Sequence, residues 1–381
     1  MNIPGTDGFE TYPLMNNYGY PELELIRGEG LSVYDDSGRE YLDFTAGIAV
    51  CNLGHAHAGV TEAVVRQAGT LIHTSNLFRS SLREDLARRL LKLSELDKVF
   101  FCNSGTEANE AALKLARRHA WSQGEQTRTK LLSLPNSFHG RTYGALSVTD
   151  KPAYHEGFTP LLPDCVCPQS VEAVLDAIDQ ETAACVVEVI QGEGGVRPVD
   201  ADLLQAIEQR LHDVGALLIV DEIQTGVGRT GTFFAYEQAG LHPDIVTMAK
   251  GLANGIPIGA VLATATVAEA FSPGSHGTTF GGNLLAMAAA TVVIDTVSQP
   301  EFLKRVREVG EYFGQQLTTV AKDVSGCGLM WGMTVENAGE YVRQARDKGV
   351  LLTAAGGQRV RFVPPLIVSE RDIDTVLARL F

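Results

Sequence analysis

Lys250 closes an apolar run, Asp244-Ile-Val-Thr-Met-Ala-Lys250-Gly251, with no acidic or polar cluster around it. Asp221 closes another such run, Ala216-Leu-Leu-Ile-Val-Asp221-Glu-Ile-Gln224. A lysine amine condenses with an aldehyde to form a Schiff base, and a carboxylate holds a pyridine nitrogen protonated. Pyridoxal phosphate chemistry asks for such a pair at the ends of buried strands. Many α/β strands end in a charge, so the pair gains weight only if a phosphate cradle, a ring-stacking aromatic and carboxylate-binding arginines accompany it.

Each has a candidate. Ser104-Gly105-Thr106-Glu107 lies between the strand-like Val99–Cys102 and the helical pattern Ala108–Ala120. A glycine turn there leaves backbone N–H groups and hydroxyls at a helix N-terminus, which suits a phosphate. The same spacing, Ser104 three before Glu107, also fits a plain capping box. Phe138-His139-Gly140-Arg141-Thr142 offers an aromatic and a guanidinium fork for a carboxylate; a surface loop would read the same way. Glu188-Val-Ile-Gln-Gly192-Glu193-Gly194-Gly195 ends a strand with glycines around a glutamate, or is a simple turn. Gly226-Val-Gly228-Arg-Thr-Gly231 matches G-x-G-x-x-G, but five residues separate it from the strand end and Thr232-Phe-Phe-Ala-Tyr is a poor helix start. A dinucleotide reading is therefore set aside. Gly54-His55-Ala56-His57 has metal-ligand residue types without a third ligand cluster, so no metal is expected.

These residues need a scaffold that brings strand ends together. Candidate strands Lys98–Cys102, Lys130–Leu134, Cys185–Ile190, Leu217–Val220, Ile245–Met248 and Ile258–Ala263 alternate with helical patterns at Glu107–Ala120, Val171–Asp179 and Ala201–Val214. This predicts an α/β fold with a mostly parallel sheet covered by helices, and a ligand beyond the strands' carboxyl ends. Past about Gly282 the pattern changes. A helix-like stretch, Asn283–Gln299, leads to Leu329–Val335 and Val360–Val363 with Glu340–Lys348 helical between them. We expect a segment 1–45 packing beside a small α+β domain at 283–381, and a large domain at 46–282.

The 381 residues carry 31 basic and 46 acidic side chains, a formal charge of −15. That argues against nucleic acid or an anionic membrane surface as partner. Any anionic ligand must be held by local arginines. The N-terminal Met1-Asn-Ile-Pro-Gly-Thr-Asp-Gly8 shows no secretion-signal pattern, and no apolar stretch approaches spanning length. The six cysteines form no C-x-x-C, which suits a reducing cytoplasm.

Taken together, the chain resembles the class III (subgroup II) pyridoxal-phosphate aminotransferases from about Arg27 to Val368. The resemblance is carried by Tyr41–Val50 with Leu53-Gly-His55, Asn103–Asn109, Phe138–Thr142, Gln191–Gly195, Val220–Gly226, Ala249-Lys-Gly251, Gly277–Asn283 and Val360–Pro365, in the family's order. It implies the PLP-dependent transferase fold of type I and a homodimer with active sites at the interface. Lys250 would be the Schiff-base lysine and proton shuttle. Asp221 would pair with the pyridinium nitrogen, and Gln224 would bond the ring hydroxyl. Ser104, Gly105 and Thr106 would contact the cofactor, the last two at its phosphate, with Thr279 arriving from the partner subunit. Phe138 would stack on the ring, with His139 beside it. Arg141 would bind the substrate's distal carboxylate, with Thr278 nearby, and Glu193 would pair with Arg361 or release it.

Asp43–Val50 and Thr74-Ser-Asn-Leu77 look most like the branch that moves the terminal amine of N-acetylornithine to 2-oxoglutarate. Members using ornithine, succinylated amines or 4-aminobutyrate share every motif above. An aminomutase is disfavoured by Glu193. The sequence departs from the family at Tyr20, where a basic residue is common, and at Ala58, where proline often follows the second histidine.

Overall fold

The computed structural model describes residues 13–381. Residues 1–12, and with them the N-terminal octapeptide read above, lie outside the described residues. The first strands are β1 (Leu25–Glu29), β2 (Ser32–Asp35) and β3 (Glu40–Asp43). Next come β4 (Lys98–Cys102), β5 (Lys130–Ser133), β6 (Cys165–Val166), β7 (Thr182–Val187), β8 (Ile190–Gln191), β9 (Arg197–Pro198), β10 (Leu217–Asp221), β11 (Ile245–Met248) and β12 (Gly259–Ala263). The last are β13 (Lys322–Cys327), β14 (Met330–Thr334), β15 (Val350–Leu351), β16 (Thr353–Ala354) and β17 (Arg359–Phe362).

The central sheet runs β4-β12-β11-β10-β7-β5-β6. β11, β10, β7, β5 and β6 are mutually parallel, while β12 is antiparallel to both its neighbours. Helices on both faces bury every residue of β7, β10 and β11, which is why these strands read as apolar runs rather than alternations. The helix Gly105–Ser122 buries Ala108, Ala111, Ala112 and Ala116 in a cluster with Leu131, Ile219 and Val261. Small side chains let the helix approach the sheet closely.

The expected strand Cys185–Ile190 is displaced. β7 starts at Thr182 and ends at Val187, and Ile190–Gln191 leaves the sheet to pair with β9. The small residues Thr182, Ala183 and Ala184 disguise the start. The end comes where the Glu188 carboxylate turns inward to accept from the amides of Phe138 and Gly192.

A second sheet, β13-β14-β17-β16, follows the helices Leu284–Val297 and Pro300–Val320. The latter helix has no counterpart among the sequence-based assignments. Pro300 stands at its start, where a missing N–H costs nothing. In the third sheet, β1-β2-β3-β15, β15 lies parallel to β3 with Val350 opposite Leu42, so distant parts of the chain share it. No helix among the described residues is long and apolar enough to cross a membrane.

Candidate active site

A cavity of about 360 Å³ opens beyond the carboxyl ends of the parallel strands. Its lining includes Ser104, Gly105, Thr106, Phe138, His139, Arg141, Asp221, Gln224 and Lys250. Residues as far apart in the chain as Val50 and Ile258 thus meet at the carboxyl ends of the strands.

Lys250 lies just past β11, at the start of a 3₁₀ turn, with a left-handed φ of 41°. Such a backbone is strained for a residue with a side chain and persists only where surroundings fix it. Burial pushes its ammonium down to about 8, and the charge of Arg361 pushes the same way against Glu193, Asp221 and Glu188. A lysine poised near neutrality can act as a nucleophile and as a base.

Asp221 ends β10 with no oxygen idle. Oδ1 accepts from Ile223 N at 3.0 Å; Oδ2 accepts from His139 Nδ1 at 2.7 Å and from Asn109 Nδ2 at 2.8 Å. Asn109 Nδ2 also donates to the His139 carbonyl, and Thr247 Oγ1 donates to Asn109 Oδ1 at 2.8 Å. That last bond fixes which end of the Asn109 amide faces the carboxylate. The other ring nitrogen of His139, Nε2, is buried with no hydrogen-bond partner among the described residues. Sequence reasoning missed Asn109 and Thr247. The available signal was a buried asparagine within the alanine face of the helix Gly105–Ser122.

Ser104 Oγ caps this helix by accepting from Glu107 N. The reciprocal half of the capping box is absent, since Glu107 Oε2 instead accepts from Asn103 N and Nδ2, each at 2.8 Å. The glutamate therefore bends back from the helix mouth. Of the first-turn amides, Glu107 N is taken by Ser104 Oγ, while those of Gly105 and Thr106 have no intrahelical acceptor and could hold an anion. Gly105 is required there: a Cβ would sit 2.8 Å from Ile223 Cγ2. Thr106 Oγ1 accepts from the amides of Arg141 and Thr142, each at 3.3 Å, which ties the cradle to the Phe138 loop.

Glu188 also lines the cavity, and sequence reasoning did not single it out as a site residue. Burial pushes its carboxyl up to about 7, with the Asp221 charge adding to the rise. Glu193 meets Arg361 at 2.5 Å (Nη1 to Oε1), and the same Nη1 donates to Gln224 Oε1 at 2.9 Å. Arg361 lies on β17 between Gly332 of β14 and Thr353 of β16, and is 1% exposed. Burial pushes the Glu193 carboxyl up, but the charge and hydrogen bond of Arg361 together hold it below the ordinary range. Gln224 touches both members of the pair, its oxygen accepting from Arg361 and its amide bonding the Glu193 carboxylate, which leaves one amide N–H as donor for a ligand.

Arg141 is exposed, with its guanidinium carbon 3.5 Å from the Tyr154 ring centre and 5.7 Å from that of Phe138. Thr278 Oγ1 accepts from Asn103 Nδ2 at 3.2 Å and Gly281 N at 3.1 Å, rather than from Arg141. Neither Thr278 nor Thr279 is among the residues lining the cavity. His55 pairs with Asp43 at 2.8 Å, and the His57 side chain accepts from Val60 N at a helix start. Among the described residues, no group of three or more His, Cys, Asp or Glu could hold a metal.

Tested against pyridoxal phosphate, this donor set fits. It offers an anion cradle, a fixed carboxylate, an aromatic face, an amide donor and a near-neutral lysine around one cavity.

The model of the family "Aminotransferase class-III" matches residues 15–381. An acetylornithine aminotransferase from Aquifex aeolicus is 47% identical, with 96% of this chain and 98% of that protein covered. One from Methanocaldococcus jannaschii is 44% identical, with 95% and 94% covered. Among solved structures, ornithine aminotransferase from Toxoplasma gondii superposes with a TM-score of 0.93 at 32% identity, covering 98% of this chain and 92% of that one. N-acetylornithine aminotransferase from Stenotrophomonas maltophilia gives 0.82 at 36% identity, covering 96% of each chain. The chain belongs to the class III aminotransferases.

Proposed function

We propose that this enzyme transfers the terminal amino group of N2-acetyl-L-ornithine to 2-oxoglutarate, giving N-acetyl-L-glutamate 5-semialdehyde and L-glutamate, a step of arginine biosynthesis. Pyridoxal 5′-phosphate is the cofactor; when bound, it supplies the electron sink that lets a proton leave the amine-bearing carbon. Gly105 and Thr106 would hold its phosphate with Ser104 next to them, Phe138 would stack on its ring with His139 beside it, Gln224 would donate to its hydroxyl and Asp221 would hold its nitrogen protonated. Lys250 Nζ takes the proton from the donor's amine-bearing carbon and returns it on the other side of the transfer. Burial, which favours the neutral amine, supports that role.

One observation carries the choice of reaction: Arg361 is buried against Glu193 beside Lys250. The site must accept a donor with one free carboxylate and an acceptor with two. Paired, Arg361 is neutralised for the donor; released, it takes the acceptor's second carboxylate. Arg141 takes the distal carboxylate. The choice of acetylornithine among related amines is supported by the names of the similar proteins.

The same reading makes the enzyme a cytoplasmic homodimer in which Thr279 reaches the partner's cofactor phosphate. Support comes from exposed apolar side chains on two loops that Asn76 ties together through Thr278 O and Gly281 O, with Ile72 51%, Leu77 88%, Phe78 67% and Phe280 62% exposed. The six free cysteines suit a reducing compartment. We divide the chain into a large unit at 46–282 and a small one at 283–381, with 1–45 beside the latter; the β3–β15 pairing supports this.

The test is a panel of amines at fixed 2-oxoglutarate. N-acetylornithine is expected to give the highest kcat/KM. Higher values for ornithine, succinylornithine, succinyldiaminopimelate or 4-aminobutyrate would overturn the donor; no turnover of any would overturn the reaction.

A further inference from the structure

Arg141 has no carboxylate partner among the described residues. Its contact is aromatic. The guanidinium carbon lies 3.5 Å from the centre of the Tyr154 ring, within stacking distance of its face. The Phe138 ring meets the same Tyr154 ring edge-to-face, with centres 6.2 Å apart and planes at 87°. Tyr154 thus touches both the ring expected to cover the cofactor and the arginine expected to bind substrate.

Tyr154 is itself held. It sits in the short helix Pro152–His155, where its amide donates to Lys151 O at 2.8 Å. Next to it, His155 Nε2 lies 2.7 Å from Thr149 O and 3.1 Å from Leu146 O. Asp150 fastens the segment to the Phe138 loop: its amide donates to Ser137 O at 3.1 Å and its Oδ2 accepts from Asn136 N at 2.7 Å. No hydrogen bond of the Tyr154 hydroxyl occurs among the described residues, so its ring face is what the site uses.

A guanidinium presents two faces and an edge, and its N–H groups all lie in the plane. Stacking one face on Tyr154 leaves the edge for a planar carboxylate. It also restrains a long exposed side chain that could swing toward other acids in a protein of net charge −15. We propose that Tyr154 is a positioning residue for substrate recognition: it holds Arg141 with its donor edge toward the cavity and so sets the affinity for the carboxylate that Arg141 takes. The inference rests on the reading that Arg141 binds a substrate carboxylate.

The experiment measures binding of glutarate, an unreactive dicarboxylate, to the holoenzyme by calorimetry, together with KM and kcat for 2-oxoglutarate. Tyr154→Leu is expected to weaken glutarate about 2- to 30-fold, the range of a cation–π contact, and to raise KM similarly. Its kcat should stay within about threefold, and Tyr154→Phe, which keeps the face, should bind like the native enzyme. Tyr154→Met replaces the Leu variant if that protein does not fold. Added to Arg141→Met, the Tyr154 change should cost nothing more, because the contact is already gone. If Arg141→Met leaves glutarate binding unchanged, the carboxylate reading fails and this inference with it. If Arg141→Met weakens binding and loss of the Tyr154 ring does not, or if the two losses add, the positioning role alone is overturned.

Discussion

Lys250 and Asp221 sit in opposite surroundings. Burial pushes Lys250 down to about 8, from an ordinary value of 10.5. The neutral, nucleophilic amine therefore becomes abundant well below the ordinary lysine range. Apoprotein mixed with pyridoxal phosphate is expected to bind it covalently at a rate rising with pH to a midpoint near 8, followed by absorbance; a midpoint near 10.5 would contradict the burial argument. Borohydride should then fix the cofactor to the peptide containing Lys250. Asp221 is instead surrounded by donors, and Asn109 is the one that also grips the His139 backbone. Asn109→Ala leaves Asp221 with one donor fewer and the Thr247 hydroxyl without its acceptor. A hydrogen bond to a charged group is worth about 1.5–3 kcal/mol, so losing the one to Asp221 is expected to lower kcat about 10- to 150-fold. The absorbance of bound cofactor should shift as well, because the carboxylate proposed to pair with the ring nitrogen would be less well fixed. An unchanged spectrum and kcat would show that His139 and Ile223 suffice.

The strand ends and glycine turns were legible because they are local: Lys250, Asp221 and Ser104–Glu107 each declare themselves within a few residues. Asn109 is 112 positions from Asp221, and Tyr154 works through a four-residue helix too short to show a period. Pro300 reads as a stop after Asn283–Gln299, although it starts the next helix. The turn after β3 is a further case that only the structure reveals. Ala46, Gly47, Ile48 and Ala49 are all left-handed, with φ of 47°, 66°, 68° and 60°. For the three non-glycine residues this costs about 1–2 kcal/mol each. Asp43 offsets the cost, since its Oδ1 accepts from Thr45 N, Thr45 Oγ1 and Ala46 N at 2.7–3.0 Å while Oδ2 meets His55. The turn delivers Val50 to the cavity wall. The hydrogen bond to Asp43, then contact with Cys51, raises His55 to about 10. A raised histidine stabilises fully below its ordinary value of 6.5, and the contribution fades as pH climbs through about 10. The Tm gap between native protein and His55→Gln should therefore be largest at about pH 6 and shrink toward pH 10. A gap independent of pH would place the stabilisation in packing, for instance against Gly28, rather than in the ion pair.

For the assembled enzyme, the open question is whether one chain can complete its own site. Thr279 is exposed and lies outside the cavity lining of its own chain, in the loop Gly277–Asn283 beside the exposed Phe280. If it donates to the cofactor phosphate across a homodimer, a charge-assisted hydrogen bond worth about 1.5–3 kcal/mol is at stake. Thr279→Ala should then weaken cofactor binding about 10- to 150-fold. Mixing Thr279→Ala subunits with Lys250→Ala subunits separates the two arrangements. In trans, each mixed dimer has one site with native Lys250 and the partner's native Thr279, and one site broken twice. In cis, no site holds both native residues. At limiting cofactor, the mixture should exceed the combined activity of its two parents only in the trans arrangement. Subunit exchange is confirmed by native mass spectrometry, so that a null result has meaning. No gain over the parents, with exchange complete, would falsify the shared site. The exposed apolar side chains Ile72, Leu77, Phe78 and Phe280 would then need another explanation than the dimer contact that brings Thr279 to its partner.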